Sequence, residues 1–500
     1  MMARAAQGEI FDLVVIGGGI NGVGIARDAA GRGLKVLVCE KNDLASATSS
    51  ASTKLIHGGL RYLEYYEFRL VREALVEREV LLRAAPHIIR PLRFVLPHVK
   101  ALRPAWMVRL GLFLYDHLGG RKILPGTRSV NFRRDPTGVC LRDDITRGFE
   151  YSDCWVDDAR LVVLNALDAV ERGAKVLTRT ACTRAEREAD LWRVDLKPED
   201  GAAFQVRARA LINAGGPWVS DILGKVIHVN RPAGLRLVKG SHLVVPRFYE
   251  GAQAYIFQNE DRRIVFTIPY EQHFTLVGTT DLPYVGDPAK VAIDEDEIAY
   301  LLTSVNSYFK KQIHCADVVW TYSGVRPLYD DQSANVSAVT RDYVFDIDSG
   351  NGQAPLLSVF GGKLTTYRKL AEHALGKLQP LMGFSANTWT VTGTLPGGDM
   401  PDADFEAFLG SIQKRYHWLP ANLLRRYARA YGTRIEVLLK DKTSLSDLGE
   451  DFGEGIYEAE LAYLIEKEWL RTADDLLWRR SKLGLHVSDE TKERLRARLK

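Results

Sequence analysis

The feature that most constrains this chain is a glycine-rich turn near its N-terminus, between two short apolar segments. The first segment, Phe11 to Ile16, is rich in β-branched residues and predicts a buried strand. Gly17, Gly19 and Gly22 follow in the G-x-G-x-x-G spacing, and a predicted helix leads to a second strand over Lys35 to Cys39. A strand, a glycine turn, a helix and a strand in this order predict the first βαβ unit of a dinucleotide-binding domain.

Each residue of this unit suits contact with a nucleotide. Gly17 permits the tight turn, Gly19 lets the backbone approach a pyrophosphate, and Gly22 and Ala26 let the helix pack close to the strand. The helix N-terminus then directs its N–H groups toward the phosphates. Glu40 closes the second strand, where a carboxylate can bind ribose hydroxyls and would repel a 2′-phosphate. The alternative is a purely structural glycine turn, and the flanking strands and acid favour the dinucleotide site.

Composition narrows the class of protein. A chain of 500 residues exceeds one ordinary core and predicts two or three domains. The net charge of +4 does not indicate nucleic-acid binding, although it allows attraction to an anionic substrate or a membrane surface. Five scattered cysteines without a C-x-x-C pair favour a reducing compartment and no metal site. Without a signal peptide, or an apolar run near the roughly 18 residues of a membrane span, we expect a cytoplasmic protein or one held peripherally on the cytoplasmic face of the inner membrane.

A run of small hydroxyl residues, 47–54, follows Glu40 within ten residues and leads into the segment LIHGGLRY, residues 55–62. A polar loop is the usual meaning of such a run. Because it directly follows the nucleotide unit, its small donors and glycines can also line the pyrophosphate and the ring of an extended cofactor.

These residues carry a resemblance to a known family. LIHGGLRY after an N-terminal dinucleotide motif resembles the flavin-dependent glycerol-3-phosphate dehydrogenases, the aerobic, membrane-associated respiratory enzymes. The EF-hand extension of the mitochondrial relatives is absent, so the chain resembles the bacterial form. Further motifs of the resemblance are YSDCWVDDARL (151–161), INAGGPW (212–218), KGSH (239–242), TYSGVRPL (321–328), TRDY (340–343), FGGKLTTYRKLAEHAL (360–375) and SDLGEDFG (446–453).

The resemblance and the residue patterns together predict an α/β (α+β) fold. Alternating strands and helices predict an FAD-binding Rossmann-like domain, short β-type runs over 234–277 predict an antiparallel-sheet substrate domain, and the charged segment beyond residue 396 predicts a C-terminal helical domain. The predicted boundaries are 1–88, 149–228 and 319–385 for the FAD-binding domain, 89–148 for a substrate- or membrane-facing insertion, 229–318 for the substrate domain and 386–500 for the helical domain.

Two further segments have a helical pattern. Glu64 to Arg83 is charged, with apolar residues near helical spacing, and predicts a surface helix. Trp106 to Tyr115 is the most apolar helical segment and is flanked by Arg103, Arg121 and Lys122. It is too short to span a bilayer, and the pattern leaves open a helix in the headgroup layer or a buried core helix.

Two apolar segments each end in glycine followed by a cation. Val318 to Val325 leads to Arg326, and Leu356 to Phe360 leads through Gly361 and Gly362 to Lys363. A single cation is usually a solvated surface residue. Glycines at strand ends are also where parallel-sheet sites are built, so we expect both segments to end at the site. A helix beginning at residues 365–366 would direct its N-terminus to the carbonyl side of a flavin.

Oxidation of a secondary alcohol requires an electron acceptor and a group that takes the hydroxyl proton. The resemblance implies His57, His242, Arg326 and Lys363 as the catalytic residues. Either histidine can take the proton, and Lys363 can stabilise the reduced ring. Arginine binds a substrate phosphate bidentately. The implied substrate-binding residues are Arg61, Tyr62, His242, Arg326 and Arg341.

The predicted cofactor site combines the glycine unit with the resemblance motifs. FAD is expected without a covalent link, because no cysteine or histidine lies in a recognised flavin-linking motif. The predicted cofactor-binding residues are Gly17, Gly19, Gly22, Glu40, Lys41, Ser49, Ser50, Ser52, Lys54, His57, Gly58, Gly59, Leu60, Ala214, Gly215, Gly324, Gly361, Gly362, Lys363, Leu364, Thr365 and Thr366.

The resemblance implies oxidation of sn-glycerol 3-phosphate to dihydroxyacetone phosphate by hydride transfer to FAD. Electrons would then pass to a membrane quinone, and the protein would contact the cytoplasmic membrane peripherally. A homodimer is compatible with this hypothesis. One alternative is a related flavoprotein oxidase that uses glycerol phosphate or an amine and delivers electrons to oxygen. A second alternative is a flavin-binding regulatory protein without turnover.

Overall fold

Two β-sheets and a group of C-terminal helices make up the described part of the protein. The protein, in a computed structural model, is described over residues 6–99, 103–188, 190–229, 234–261, 263–329, 342–385 and 387–499. The strands are β1 Ile10–Ile16, β2 Val36–Cys39, β3 Leu55–Ile56, β4 Ile89–Pro97, β5 Arg128–Asn131, β6 Arg147–Val156, β7 Lys175–Leu177, β8 Thr180–Glu188, β9 Leu191–Pro198, β10 Phe204–Asn213, β11 Leu235–Pro246, β12 Ala254–Gln258, β13 Ile264–Tyr270, β14 Phe274–Gly278, β15 Leu282–Pro283, β16 Trp320–Tyr329, β17 Val344–Asp348 and β18 Leu356–Phe360. The helices are α1 Ile20–Gly31, α2 Phe68–Ala84, α3 Ala105–Leu118, α4 Asp158–Glu171, α5 Val219–Lys225, α6 Glu295–Asn306, α7 Tyr367–Met382, α8 Phe405–Arg415, α9 Ala421–Tyr431, α10 Ile435–Leu438, α11 Glu458–Lys467 and α12 Asp489–Arg498.

The first sheet contains the predicted dinucleotide unit. Its order is β17-β18-β10-β1-β2-β7, with parallel pairing from β18 through β7, and β9 joins β8 to the first half of β10. Alternate residues of β1 face opposite layers: Leu13 and Val15 pack against α1, α4 and α7, whereas Val14 and Ile16 pack toward β9 and α5. Burial on both faces explains the continuous apolar runs that the sequence shows here.

The second sheet confirms the predicted antiparallel region and extends beyond it. Its order is β15-β11-β14-β13-β12-β4-β6-β3, with β16 beside β11 and β5 beside β6. Every pairing in it is antiparallel except that of β4 with β12. Helix α6 covers one face and α3 packs on the other. The segments 55–56, 89–97 and 147–156 thus belong to the same sheet as the predicted meander.

The expectation of a strand ending before Arg326 is wrong. Strand β16 continues through Gly324 and Arg326 to Tyr329, and it pairs antiparallel with β11 along its whole length. Arg326 therefore reaches the cavity from mid-strand, opposite Val238, because an antiparallel partner is available throughout. The segment Leu356–Phe360 does end as expected, in a parallel pairing with β10, with glycines directly after it.

The predicted surface helix is instead largely buried. Helix α2 buries charged residues as well as apolar ones, among them Glu77 and Arg78. Arg78 pairs with Asp153 of β6, and the Glu77 carboxylate accepts hydrogen bonds from Arg368 of α7. Partners that neutralise these charges lie far along the chain, so the local charge pattern alone indicated solvent exposure wrongly.

Helix α3 presents an apolar face to the exterior. Leu112 and Tyr115 are buried against the second sheet, whereas Trp106, Leu110 and Phe113 are 66%, 51% and 49% exposed. Nowhere in the described ranges is a helix long and apolar enough to cross a bilayer. The helix is therefore partly a core helix and partly an uncovered apolar surface.

The C-terminal helices form their own apolar core, as predicted. Tyr427, Leu461 and Leu464 are buried within it, and Trp418 and Trp478 are partly buried at its edge. Trp478 stacks on Trp320 of the second sheet, with ring centroids 4.4 Å apart. The helical unit thus packs directly beside the strand that carries Arg326.

Candidate functional site

A cavity of about 580 Å³ opens between the two sheets. The ends of four parallel strands border it, where β1, β2, β10 and β18 stop at Gly17, Glu40, Ala214 and Gly361. Strands β11 and β16 of the second sheet close the other side. A crevice at the carboxyl ends of parallel strands is the usual ligand site of such sheets.

The glycine turn forms a cradle that side chains would fill. Gly17 has a φ of +115°, and a Cβ on it would lie 2.5 Å from the Ala214 carbonyl oxygen. A Cβ on Gly22 would lie 2.0 Å from the Gly17 carbonyl oxygen, so that α1 can approach the turn only with glycine there. At the start of α1 the Ile20 N–H donates to Ser49 Oγ at 3.1 Å. The helix N-terminus and a small hydroxyl therefore meet at the cavity floor, as a pyrophosphate requires.

Two backbone hydrogen bonds fix Glu40 on the wall of the same cavity. Its carboxylate accepts hydrogen bonds from the Gly18 N–H at 2.7 Å and the Asn42 N–H at 2.8 Å. Burial raises the pKa of Glu40, against these two bonds, which lower it. Beyond it the Lys41 ammonium lies over the Trp218 ring, 4.4 Å from its centroid. A rigid acceptor beside an apolar wall suits a ribose and a planar base.

Burial holds His242 in a neutral state on the wall of the same cavity. Its ring stacks on Tyr322 with centroids 4.7 Å apart, and its Nε2 lies 3.0 Å from Thr53 Oγ1. Burial lowers the pKa of His242 to about 3, and the Lys54 ammonium adds to this effect. Its Nδ1 is buried and lacks a hydrogen-bond partner among the described residues. A neutral imidazole with a spare nitrogen thus borders the cavity.

His57 and Lys363 come from segments far apart in the chain and meet here. Burial lowers the pKa of His57; the Asp153 carboxylate opposes this, and Lys363 and Arg78 add to it. The Lys363 ammonium lies 4.1 Å from the centroid of the Tyr62 ring. This end of the cavity therefore combines an unprotonated histidine with a fixed positive charge.

Arg326 adds a second positive charge. Its Nη2 donates to Asp281 Oδ1 at 2.7 Å, and its side chain is 36% exposed. Gly240 of β11, which pairs with Gly324, lies close by: a Cβ on it would be 3.8 Å from Arg326 Nη2. The Asp281 carboxylate thus binds one nitrogen of the guanidinium, and Arg326 also lines the cavity.

Most of the predicted site residues lie together on the wall of this cavity. The predicted residues that line it are Gly17, Gly19, Glu40, Lys41, Ser49, Ser52, His57, Gly58, Tyr62, Ala214, Gly215, His242, Gly324, Arg326, Gly361, Gly362, Lys363, Leu364 and Thr365. Their roles toward a ligand stay predictions.

Other predicted residues lie off the wall. Lys54 is buried and its ammonium binds Asp158 at 2.8 Å, which gives it a structural role between the hydroxyl run and α4. The Arg61 guanidinium lies beside Tyr65 rather than in the cavity. Gly22 packs on the turn below. Arg341 falls outside the described residues. The remaining predicted residues off the wall are Ser50, Gly59, Leu60 and Thr366.

The sequence patterns missed several residues that support this site. Asp281 pairs with Arg326, Thr53 hydrogen-bonds His242, and Tyr322 stacks on it. Thr53 lies in the hydroxyl run 47–54 and Tyr322 in the segment Val318 to Val325, so both belong to segments that the sequence already indicated as part of the site. Asp281 follows a short strand and carries no local signal.

Comparisons with known proteins agree with this geometry. A family model described as "FAD dependent oxidoreductase" matches residues 12–368, and one described as "C-terminal domain of alpha-glycerophosphate oxidase" matches residues 388–499. A glycerol-3-phosphate dehydrogenase of Pseudomonas aeruginosa is 58% identical over 98% of this chain and 95% of its own length. A D-erythritol 1-phosphate dehydrogenase of Brucella abortus is 55% identical over 97% of this chain and 96% of its own. The crystal structure of the Bacillus halodurans glycerol-3-phosphate dehydrogenase complexed with FAD superposes with a TM-score of 0.78 at 26% identity, over 100% of this chain and 95% of that one.

The cavity fits FAD on its own features. The glycine cradle, the α1 N-terminus and Glu40 line the same cavity as the cations Arg326 and Lys363 and the two histidines. Apolar residues such as Ile222 and Val226 also border it, which suits a dinucleotide with a ring system. FAD is the cofactor of this protein.

Proposed function

Because the chain belongs to the family of FAD-dependent oxidoreductases that includes the bacterial glycerol-3-phosphate dehydrogenases, we propose that it oxidises sn-glycerol 3-phosphate to dihydroxyacetone phosphate. The electrons then pass to a membrane quinone. One observation carries the proposal: the same cavity is lined by the dinucleotide cradle, the cations Arg326 and Lys363 and two neutral histidines. FAD, when bound, supplies the acceptor for the hydride that leaves the carbinol carbon.

The chain's own task in this reaction is to take the hydroxyl proton. His57 and His242 both border the cavity, and burial lowers the pKa of each. Both imidazoles are therefore unprotonated near neutral pH and can accept a proton from the substrate oxygen.

A phosphate on the substrate accounts for the cations Arg326 and Lys363 on the cavity wall. The Arg326 guanidinium is a planar fork that can bind two phosphate oxygens, and the Lys363 ammonium supplies a second charge. Phosphate binding away from the reacting carbon fixes that carbon in place and lowers the barrier to reaction. Arg341 is proposed to share this task.

The uncovered face of α3 supports peripheral contact with the cytoplasmic face of the inner membrane. Trp106, Leu110 and Phe113 are exposed on it, and the exposed Tyr66 and Phe68 adjoin the Leu60–Tyr65 turn that packs against the same helix. Large apolar and aromatic side chains on one face suit insertion into the headgroup layer. Tyr62, in that turn, borders the cavity, so a quinone in the membrane would be close to the electron donor.

Anaerobic bleaching of the bound flavin tests this function. The purified protein should carry FAD without a covalent link, and sn-glycerol 3-phosphate should bleach it rapidly, whereas glycerol should do so poorly. Equal efficiency with glycerol would mean that the cations do not bind a phosphate. A protein whose flavin no phosphorylated alcohol reduces would overturn the proposal and favour a flavin-binding regulatory protein.

A second substrate is favoured by a specific relative. The D-erythritol 1-phosphate dehydrogenase is nearly as similar to this chain as the glycerol-3-phosphate dehydrogenase. Bleaching rates with the two phosphorylated alcohols, compared at equal concentrations, separate these substrates. Faster bleaching by D-erythritol 1-phosphate would assign the longer substrate.

The electron acceptor needs its own measurement, because an oxidase would perform the same first step. After anaerobic reduction, a short-chain quinone should reoxidise the flavin faster than dissolved oxygen does, with little hydrogen peroxide formed. Rapid peroxide release and no effect of quinone would favour the oxidase. The oligomeric state, for which a homodimer is compatible, can be read from the same preparation by light scattering.

A further inference from the structure

Tyr115 of α3 lies behind the cavity wall and hydrogen-bonds the backbone of a residue that lines it. The Gly58 N–H donates to the Tyr115 hydroxyl at 2.8 Å, with Asp153 Oδ1 as a more distant acceptor at 3.3 Å. A Cβ on Gly58 would lie 2.4 Å from Leu75 Cδ2 and 2.8 Å from the Tyr115 oxygen, so only glycine fits here. The position of the wall at Gly58 is therefore set by the side chains packed behind it.

The Tyr115 hydroxyl is in turn fixed by a buried ion pair. It donates to Asp153, both of whose carboxylate oxygens lie 2.8 Å away. Arg78 Nη1 donates to Asp153 Oδ1 at 2.8 Å and to the Ser152 carbonyl at the same distance. The Arg78 and Asp153 side chains are 3% and 2% exposed. Because moving either partner would leave a buried charge uncompensated, the pair holds the hydroxyl in one place.

The segment next to Gly58 is held from the other side as well. The His57 N–H donates to Thr365 Oγ1 at 3.3 Å, and the Thr365 hydroxyl lies 3.4 Å from the His57 carbonyl oxygen. The His57–Gly58 backbone is thus clamped between the start of α7 and the inner face of α3. Neither Tyr115 nor Arg78 borders the cavity.

We propose that Tyr115, held by Asp153 and Arg78, is a positioning residue for the oxidation: through the Gly58 N–H it sets where the His57 imidazole lies in the cavity. It touches neither substrate nor cofactor. The inference rests on the proposed function for its reaction, and it adds a residue from a helix whose outer face is the proposed membrane contact. Catalysis of this kind is sensitive to small displacements of the reacting groups.

Tyr115→Phe tests the inference, because it keeps the ring and removes the hydroxyl. The rate constant of anaerobic flavin bleaching by sn-glycerol 3-phosphate should fall about tenfold, with the half-saturating substrate concentration little changed. Hydrogen exchange at the Gly58 amide should become about tenfold faster, since its closer acceptor is gone and only Asp153 Oδ1, 3.3 Å away, remains. Tyr151→Phe is the matched control. It removes a hydroxyl from the neighbouring ring, 5.7 Å from that of Tyr115, which does not bond Gly58 in the described structure, and both readouts should stay unchanged.

An unchanged bleaching rate or unchanged Gly58 exchange in Tyr115→Phe would overturn the inference, as would equal slowing in Tyr151→Phe. If Tyr115→Phe does not fold, Arg78→Lys replaces it. This variant keeps the charge beside Asp153 and should slow bleaching and speed Gly58 exchange in the same direction, by smaller factors; wild-type values of both would contradict the proposal. A wild-type protein that sn-glycerol 3-phosphate does not bleach points instead to failure of the proposed function, and the amide exchange still decides the role of Tyr115.

Discussion

Arg326 brings the charge that most directly distinguishes a phosphorylated substrate, and its role can be tested by a conservative change. Arg326→Lys keeps the charge and loses the planar fork. A charged hydrogen bond left unmade costs about 1.5–3 kcal/mol, so the catalytic efficiency should fall by about one to two orders of magnitude. Steady-state rates per bound flavin measure this, with flavin content and thermal midpoint expected to change little.

The opposing possibility is that Arg326 only ties two strands together. The carboxylate for such a tie is Asp281, which accepts a hydrogen bond from Arg326 Nη2. Asp281→Asn, which removes the charge that pairs with Arg326, is therefore the matched variant for Arg326→Lys. If Arg326→Lys lowers stability and flavin content together, while the efficiency per flavin stays intact, the tie is its role and the substrate assignment fails.

His87 makes a pH-dependent contribution to stability away from the cavity. It is 1% exposed, neither ring nitrogen has a hydrogen-bond partner among the described residues, and burial, with Arg160 and Arg429 nearby, lowers its pKa to about 3. The unfolded chain binds a proton below about pH 6.5 and the folded one does not, so stability falls as the pH falls through this range.

His87→Leu removes the titrating group and should flatten this dependence. Between pH 8 and pH 5 the wild-type protein should lose about 2 kcal/mol more stability than the variant. Thermal midpoints at the two pH values measure the difference, with the exposed His417→Leu as the control that leaves it unchanged. Parallel curves for wild type and His87→Leu would rule out this contribution.

At the scale of elements, the sequence predicted those features that depend on neighbouring residues. The glycine turn and the strands of the 234–277 region follow from short-range patterns, and the structure has both. The cavity wall likewise collects most of the predicted residues, because glycines at strand ends are local signals. The domain boundaries stay predictions.

The features that were missed depend on contacts between distant segments. Arg78 can be buried because Asp153 pairs with it, and Lys54 because Asp158 pairs with it. In the second pair the partners lie about a hundred residues apart in the chain. Arg326 continues a strand because β11 offers it a partner. A local sequence pattern does not show whether such a partner exists. The charged segment Glu64 to Arg83 was therefore predicted to be exposed, and the strand before Arg326 was predicted to end too early.

The outer face of α3 leads to a prediction about membrane binding. Replacing Trp106 and Phe113 together by glutamine should weaken binding to vesicles containing anionic lipid about tenfold or more, because each buried aromatic contributes about 1.5–3 kcal/mol. Vesicle co-sedimentation at low salt measures this. Flavin content and bleaching by the soluble substrate should persist, since both side chains are largely exposed.

Val285→Gln is the control, because Val285 is 98% exposed in the loop after β15 and its replacement should leave vesicle binding unchanged. A double variant of Trp106 and Phe113 that still sediments with vesicles, while remaining folded, would move the contact surface elsewhere.

At the scale of the whole molecule, the C-terminal helices are connected to the cofactor domain by buried charges as well as by apolar packing. Arg160 of α4 pairs with Glu468, and Arg480 pairs with Asp43, with both pairs almost fully buried. Asp43 lies in the loop after Glu40, beside Lys41 and Asn42 of the cavity wall. The helical unit thereby holds the loop that borders the nucleotide end of the cavity.

Asp43→Asn should therefore cost stability and flavin together. The Arg480 guanidinium donates to Asp43 at 2.7 and 2.8 Å and its side chain is 0% exposed, so the variant leaves a buried charge unpaired at a cost of about 3–5 kcal/mol. The thermal midpoint should drop and FAD occupancy should fall, because the loop loses its anchor. Glu436→Gln, which breaks the exposed Arg415–Glu436 pair, should cost less than about 1 kcal/mol and leave FAD in place. Adding Arg480→Met to Asp43→Asn should recover part of the stability, since the unpaired charge is then gone. Wild-type stability and FAD content in Asp43→Asn would mean that the helical domain does not hold this loop.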